Sequence, residues 1–208
     1  QGARIEPGES LSFNQTVGMR TEESGYTAAE EPAYGQNIVG VGGGICQVST
    51  ALYRLALLGG LEIVERSAAV YPVDYCEIGQ EAAVSDQGLD LVLTNNTDAP
   101  LFLVVRVYAE NDGQTMEWQL IGKENESRFS LVSEVETIDA PEEPVYVRDS
   151  EGRYATYADE RIPVSEARPG YRATVSLVDE NGETVRVVSE DTYDAMAQIV
   201  YVGVQQRN

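Results

Sequence analysis

Residues 42–60 read GGGICQVSTALYRLALLGG. Within this stretch Ile45, Val48, Leu52, Leu55 and Ala56 recur at three- and four-residue spacing, which predicts an amphipathic helix over residues 45–58. Three glycines precede the helix, and Gly59-Gly60 stands where a left-handed cap would end it. Working outward, the flanks read as strand or loop, so this helix is the central element. Upstream, residues 10–13 form a short extended run. Residues 25–44 are rich in Gly, Ala, Pro and acids without a sustained period, and are expected to form a long ordered loop anchored by Tyr26, Tyr34, Ile38 and Val39. Downstream, residues 61–64 and 68–75 are expected strands, the second interrupted by Pro72.

From Leu89 the pattern becomes all strand. Residues 89–93 alternate, Asn95-Asn96-Thr97-Asp98 turns, residues 101–108 are nearly continuous apolar, and Asn111-Asp112-Gly113 is a hairpin turn into residues 116–121. Composition shifts at residues 122–127, GKENES. Beyond it come strand-like runs at 129–135, 145–148, 171–178, 184–188 and 198–204, with turns at Asp149–Gly152 and Asn181-Gly182. The expected fold is α+β: one central helix packed on an antiparallel sheet over residues 7–122, then a small all-β domain over residues 128–208.

Composition narrows the function classes. The 14 basic and 35 acidic residues give a net charge of -21, which repels phosphate backbones and anionic lipid and argues against nucleic acid as a partner. No run approaches 18 consecutive apolar residues, so no membrane span is expected in the sequence itself. The chain opens Gln1-Gly2-Ala3, without an initiator Met, and an amino-terminal signal or anchor is expected to have preceded it. It contains no histidine, which removes the usual metal ligand and the usual proton shuttle near neutral pH. No metal site and no cofactor are expected. Asp179-Glu180-Asn181-Gly182 lacks the far acidic ligand of a calcium loop and reads as a turn. Glu30-Glu31 and Glu142-Glu143 read as solvated charges.

The chemistry concentrates in the opening of the helix. A cysteine in a first helical turn sits among unpaired amides at the positive dipole end, which favours thiolate. The same amides can stabilise an oxyanion. Cys46 after three glycines therefore has what a cysteine nucleophile needs, although a buried cysteine as a small core residue fits the same pattern.

The block GGGICQVSTALY at residues 42–53 resembles the VanW domain, and so do Ser12-Phe13-Asn14, Gly18, Arg20-Thr21, Gly25-Tyr26, the run 61–66, Pro72-Val73, Tyr75, Gly79, Asp90-Leu91 and Asn95-Asn96-Thr97. The resemblance spans residues 7–122. It implies a bacterial envelope protein, extracellular or at the cell surface and anchored through a removed amino-terminal segment. The implied partner is a cell-wall glycan or peptide polymer. The helix also resembles the core of transglutaminase-like thiol enzymes, which implies Cys46 as nucleophile and Glu81, where an Asp is usual, as orienting acid. After Glu65-Arg66, however, the chain reads Ser67-Ala68-Ala69-Val70 where the family carries histidine, so a Cys–His pair is ruled out. An alternative is a Cys46–Cys76 disulfide, closing a ring of about 31 residues and stabilising by roughly 3–4 kcal/mol.

Three readings stand side by side: a wall-binding module with a degenerate thiol site, an acyl-transfer or hydrolytic thiol enzyme, and a structural spacer. For the first, a groove lined by Arg20, Tyr26, Gly42, Gly43, Gly44, Gln47 and Ser49 is the expected site. Arg66 is a further candidate for a carboxylate, and Tyr34, Tyr53, Tyr71 and Tyr75 for saccharide stacking. Residues 128–204 resemble the five-glycine surface-adhesion domain at Pro169-Gly170-Tyr171, Asn181-Gly182-Glu183 and residues 199–203. That resemblance implies glycan binding on a flat sheet.

Overall fold

The computed structural model describes residues 2–33, 36–110, 113–123 and 128–207, with the backbone alone for residues 30–33, 36–39 and 110. The expectations placed on Tyr34, on the side chains of Glu30, Glu31, Ile38 and Val39, on the Asn111-Asp112 turn and on residues 124–127 lie outside the described residues. The elements run β1 (Gly2–Ile5), β2 (Ser10–Ser12), α1 (Phe13–Val17), a 3-10 turn (Glu22–Ser24), β3 (Ala28–Ala33), β4 (Gln36–Val41), α2 (Ile45–Leu58), β5 (Glu62–Glu65), β6 (Val92–Thr94), β7 (Leu101–Glu110) and β8 (Gly113–Ile121). They continue with β9 (Ser130–Ile138), β10 (Val145–Asp149), β11 (Arg161–Ser165), β12 (Gly170–Val178), β13 (Thr184–Tyr193) and β14 (Ile199–Gly203). This is the α+β class expected: one main helix among predominantly antiparallel sheets.

The chain divides into two compact units, Gln1–Glu134 with Thr174–Glu190, and Val135–Ala173 with Asp191–Asn208. It passes from one to the other within β9, β12 and β13, which form a sheet in the order β13-β12-β9. The first unit holds the sheets β1-β7-β8 and β2-β6-β5, the hairpin β3-β4, and both helices. The inner face of α2 carries Ser49, Leu52, Tyr53, Ala56 and Leu57, all buried. This is the i, i+3, i+4 stripe of a helix packed on one side. It meets Ile5, Phe13, Leu91, Leu93, Leu101 and Leu103, drawn from the strands and their flanks, in one core.

The helix stops as its glycines predict. Gly60 adopts φ 76°, its amide donates to the Leu57 carbonyl at 3.0 Å, and the Leu61 amide donates to Ala56 at 2.9 Å. These two bonds are those of a Schellman cap. Leu61 then turns into the core, 1% exposed.

Four local expectations are corrected. Residues 25–44 are not a loop: β3 and β4 pair in register from Ala28↔Val41 to Ala33↔Gln36. Backbone ladder bonds carry this hairpin, and they do not need the β-branched alternation that the sequence lacks. Residues 68–75 form no strand, only the flanking bridge Ser67↔Ala83; the Ala69 amide donates to the Glu81 side chain, and Arg66, just before the segment, donates to the Glu81 carbonyl. Phe13 belongs to α1 rather than a strand: the Ser12 hydroxyl accepts from the Gln15 amide at 3.1 Å and starts a helix there. Likewise Leu89–Leu91 precede β6, since the Asp90 carboxylate accepts from the amides of Asn14 and Leu91.

In the second unit β14 is central to a sheet in the order β10-β14-β11, parallel to β10 and antiparallel to β11. Asp149, 4% exposed, accepts from the amides of Tyr154 at 2.6 Å and Ala155 at 3.0 Å and so closes the turn after β10. These amides hold its carboxyl below the ordinary range, the Ala155 bond first.

Candidate functional site

Cys46 is the second residue of α2, half-buried, two positions after the glycine run ends at Gly44. Gly44 caps the helix in the left-handed region, φ 87°, with no side-chain cap. The Ile45 amide donates to Gly42 at 3.2 Å, and the amides of Gln47 and Val48 donate to the Gly44 carbonyl at 3.1 and 3.3 Å. The opening turn thus satisfies much of its own donor set. The Cys46 thiol donates to the Val84 carbonyl at 3.5 Å.

That bond is one of several fastening residues 79–84 along the helix. The Ser49 hydroxyl donates to the Ala82 carbonyl at 2.6 Å, and the Ala82 amide donates to the Thr50 hydroxyl at 3.0 Å. Glu81, whose side chain is 1% exposed, accepts from the amides of Gly79 at 3.1 Å and Ala69 at 3.2 Å. It also pairs with Arg66 at 3.6 Å, whose side chain is 8% exposed. Arg66 also donates to the carbonyls of Glu81 at 2.7 Å and Gly79 at 3.0 Å, with its guanidinium 5.4 Å above the ring of buried Tyr53. The acid expected to orient a catalytic group therefore orients the 66–81 loop.

Tyr75 and Cys76 complete the surroundings of the thiol. Burial pushes the Tyr75 hydroxyl up to about 12, against a hydrogen bond with Thr50 that lowers it, and the charges of Cys46, Cys76 and Glu81 push the same way as burial. Burial, then the Glu81 charge, pushes the Cys76 thiol up to about 11. Both groups are neutral at physiological pH, so neither serves there as a base. Cys46 and Cys76 are free thiols, and the disulfide considered between them is not formed.

The expected binding residues fall in different environments. Arg20 is 8% exposed, paired with Asp86 and bonded to Asn14 Oδ1, its backbone amide donating to Asp86 at 3.2 Å. The Arg20 hydrogen bond holds the Asp86 carboxyl below its ordinary range. Gly42 is buried at φ 86°, and a Cβ there would lie 3.0 Å from the Arg20 Cβ. A Cβ on Gly43 would lie 2.8 Å from that of Ala29, so Gly43 admits the close approach of β3, whereas nothing lies within 4 Å of the place a Cβ on Gly44 would take. Ser49 is fully buried. Tyr26 is half-buried, its hydroxyl donating to the Val17 carbonyl at 3.4 Å. Only Gly44 and Gln47 of this set are exposed. Tyr71 and Tyr75 are half-buried, whereas Tyr53 is 1% exposed and sits beneath Arg66.

Sequence reading missed the network that surrounds Arg20. Asn14 Nδ2 donates to the carbonyls of Leu89 at 2.8 Å and Ser85 at 3.2 Å, and Ser12 donates to Asp90. The signal was present in the paired motifs Ser12-Phe13-Asn14 and Asp90-Leu91, which are the two sides of one tie. Among the described residues no helix is long and apolar enough to cross a membrane. A cleft of about 200 Å³ lies between Arg4 and Thr16, and a depression of about 430 Å³ lies on the second unit, so neither is at Cys46.

The family described as VanW like protein matches residues 1–119. An uncharacterized protein YoaR of Bacillus subtilis is 41% identical over 102 residues, covering 49% of this chain and 34% of that protein. The vancomycin B-type resistance protein VanW of Enterococcus faecalis is 27% identical over 170 residues, covering 79% of this chain and 58% of its own length. The chain thus spans about a third and somewhat over half of the curated relatives it matches. No solved structure matches it.

Proposed function

The chain belongs to the VanW-like family, and from that premise we propose that it is a bacterial cell-envelope module, exported and held at the cell surface, which binds peptidoglycan or wall polysaccharide and does not process it. The observation that carries this reading is the state of the groups around Cys46. Tyr75 and Cys76 are pushed up to about 12 and 11, Glu81 is occupied by two amides and Arg66, and the chain has no imidazole. A thiol nucleophile needs a partner that takes its proton near neutral pH. Here the neighbours are protonated or already committed, which makes the site a fastening between α2 and the 79–84 segment. The vancomycin-resistance name of the Enterococcus relative and the adhesion-like resemblance of residues 128–204 support a wall-facing role.

A second reading keeps Cys46 as the nucleophile of an acyl-transfer enzyme, favoured by its place at the opening of α2. Incubation with isolated insoluble walls separates the two. The binding module pellets with the wall and releases no soluble amino groups or reducing ends. Release by the wild type that stops in Cys46→Ser establishes the enzyme instead.

A further inference from the structure

The second unit carries an open sheet face that the Cys46 site does not use. The ladders of β10-β14-β11 place Arg148 opposite Val202 from one side and Arg161 opposite Val202 from the other. Direct cross-strand partners point to the same face. The two arginines thus flank one valine, their Cα atoms about 10 Å apart, twice the inter-strand spacing. Tyr146, two residues before Arg148, shares that face and is 59% exposed. These four side chains line the depression of about 430 Å³.

The opposite face of the same sheet is covered. A Cβ on Gly203 would lie 2.4 Å from the Thr156 carbonyl carbon, and Tyr154 stacks on Tyr201 with ring centroids 4.8 Å apart. The loop after β10 therefore packs on one side; on the arginine side Val200 is covered, 6% exposed, while Tyr146, Arg148, Arg161 and Val202 line the open depression.

Charge makes the arrangement unusual. The chain carries 35 acids to 14 bases, yet no ion pair or hydrogen bond engages either guanidinium among the described residues. The carboxylates nearest along the chain are each taken by other donors. Asp149 accepts from backbone amides, Glu151 pairs with Arg153, and Asp159 and Glu160 pair with Arg207. Two unpaired forks within reach of one point, with an apolar floor and a tyrosine beside them, match the chemistry of a ring that bears an anion. Repulsion from the acidic remainder is screened beyond about 8 Å at physiological ionic strength, whereas the forks act at contact.

We propose that this face binds an anionic saccharide, with its carboxylate or phosphate between Arg148 and Arg161 and its ring against Tyr146. The choice of a saccharide rests on the wall-binding reading above. The site itself rests on the strand register.

Titration calorimetry on the full chain tests it with trigalacturonate, glucose 6-phosphate and maltotriose. The carboxylate and phosphate probes report which anion is preferred, and the neutral sugar reports whether charge matters. Arg148→Ala and Arg161→Ala are each expected to weaken the anionic probes at least about tenfold, the scale of a lost charge-assisted bond. Tyr146→Ala weakens trigalacturonate too, while Arg172→Ala, removing an arginine already paired with Glu136, changes nothing. Circular dichroism confirms that each variant is folded. No binding of either anion by the wild type overturns the proposal, as does equal binding of maltotriose or indifference to both arginine substitutions. Wall sedimentation keeps the two readings apart. A protein that binds trigalacturonate but not walls sinks the envelope reading alone, and one that binds walls equally well without Arg148 and Arg161 sinks this site alone.

Discussion

Glu81 is 1% exposed and faces Arg66 at 3.6 Å, with the amides of Ala69 and Gly79 on its two oxygens. Breaking a buried pair by removing one partner strands the other charge and costs about 3–5 kcal/mol. Glu81→Ala is accordingly expected to lose that much in urea denaturation, and a change under about 1 kcal/mol, the scale of an exposed pair, would show that the carboxylate does not hold the loop. Cys76 and Tyr75 give a pH signature. Their folded values rise from 9.0 to about 11 and from 10.0 to about 12, so each holds its proton more tightly when folded. Their contribution is complete below about pH 9 and is lost as pH climbs through 11 and 12. The denaturation midpoint should therefore fall between pH 9 and 11, less steeply in Cys76→Ala. A midpoint that stays flat across that range contradicts the burial of both groups.

At the scale of elements, α2 is defined by its two glycine ends. Gly44 sits at φ 87° with nothing within 4 Å of the place a Cβ would take, so Gly44→Ala meets only the left-handed backbone penalty, about 1–2 kcal/mol. Gly43→Ala meets Ala29 at 2.8 Å and must push the β3–β4 hairpin away, so it should melt lower than Gly44→Ala. Thermal unfolding of the pair checks the order, and the reverse order would mean that the hairpin does not press on the helix start. The helix, its Schellman end, the β7–β8 hairpin and most later strands were legible because their cues are local: a 3.6-residue period, Gly59-Gly60, alternating apolar runs, Asn181-Gly182. The β3–β4 hairpin was not, since AAEEPA at residues 28–33 carries no period. The 68–75 segment read as a strand because its true constraint, the Arg66–Glu81 bond, acts across 15 residues. The site was legible in its residues but not in their roles. Cys46 stands at the helix start as read, whereas Arg20, Ser49 and Glu81 are drawn inward by partners as distant in sequence as Asp86 and Ala82. Nothing local brings Arg148 and Arg161 to either side of Val202.

At the scale of the whole molecule, charge and architecture divide the labour. The first unit holds 8 bases and 24 acids and commits Arg20 and Arg66 to internal ties. The second holds 6 bases and 11 acids, and among the described residues no ion pair or hydrogen bond engages the guanidinium of Arg148 or Arg161. The proposed binding role draws on both units: the fastening around the Cys46 thiol in the first and the open face assigned above to an anionic saccharide in the second. The most direct test of that account is the saturation isotherm of the full chain on isolated insoluble walls, measured for the wild type and for Cys46→Ser. The account predicts saturable binding with superimposable curves. A wild type that stays in the supernatant at every wall concentration, or a Cys46→Ser that no longer binds while remaining folded, contradicts it.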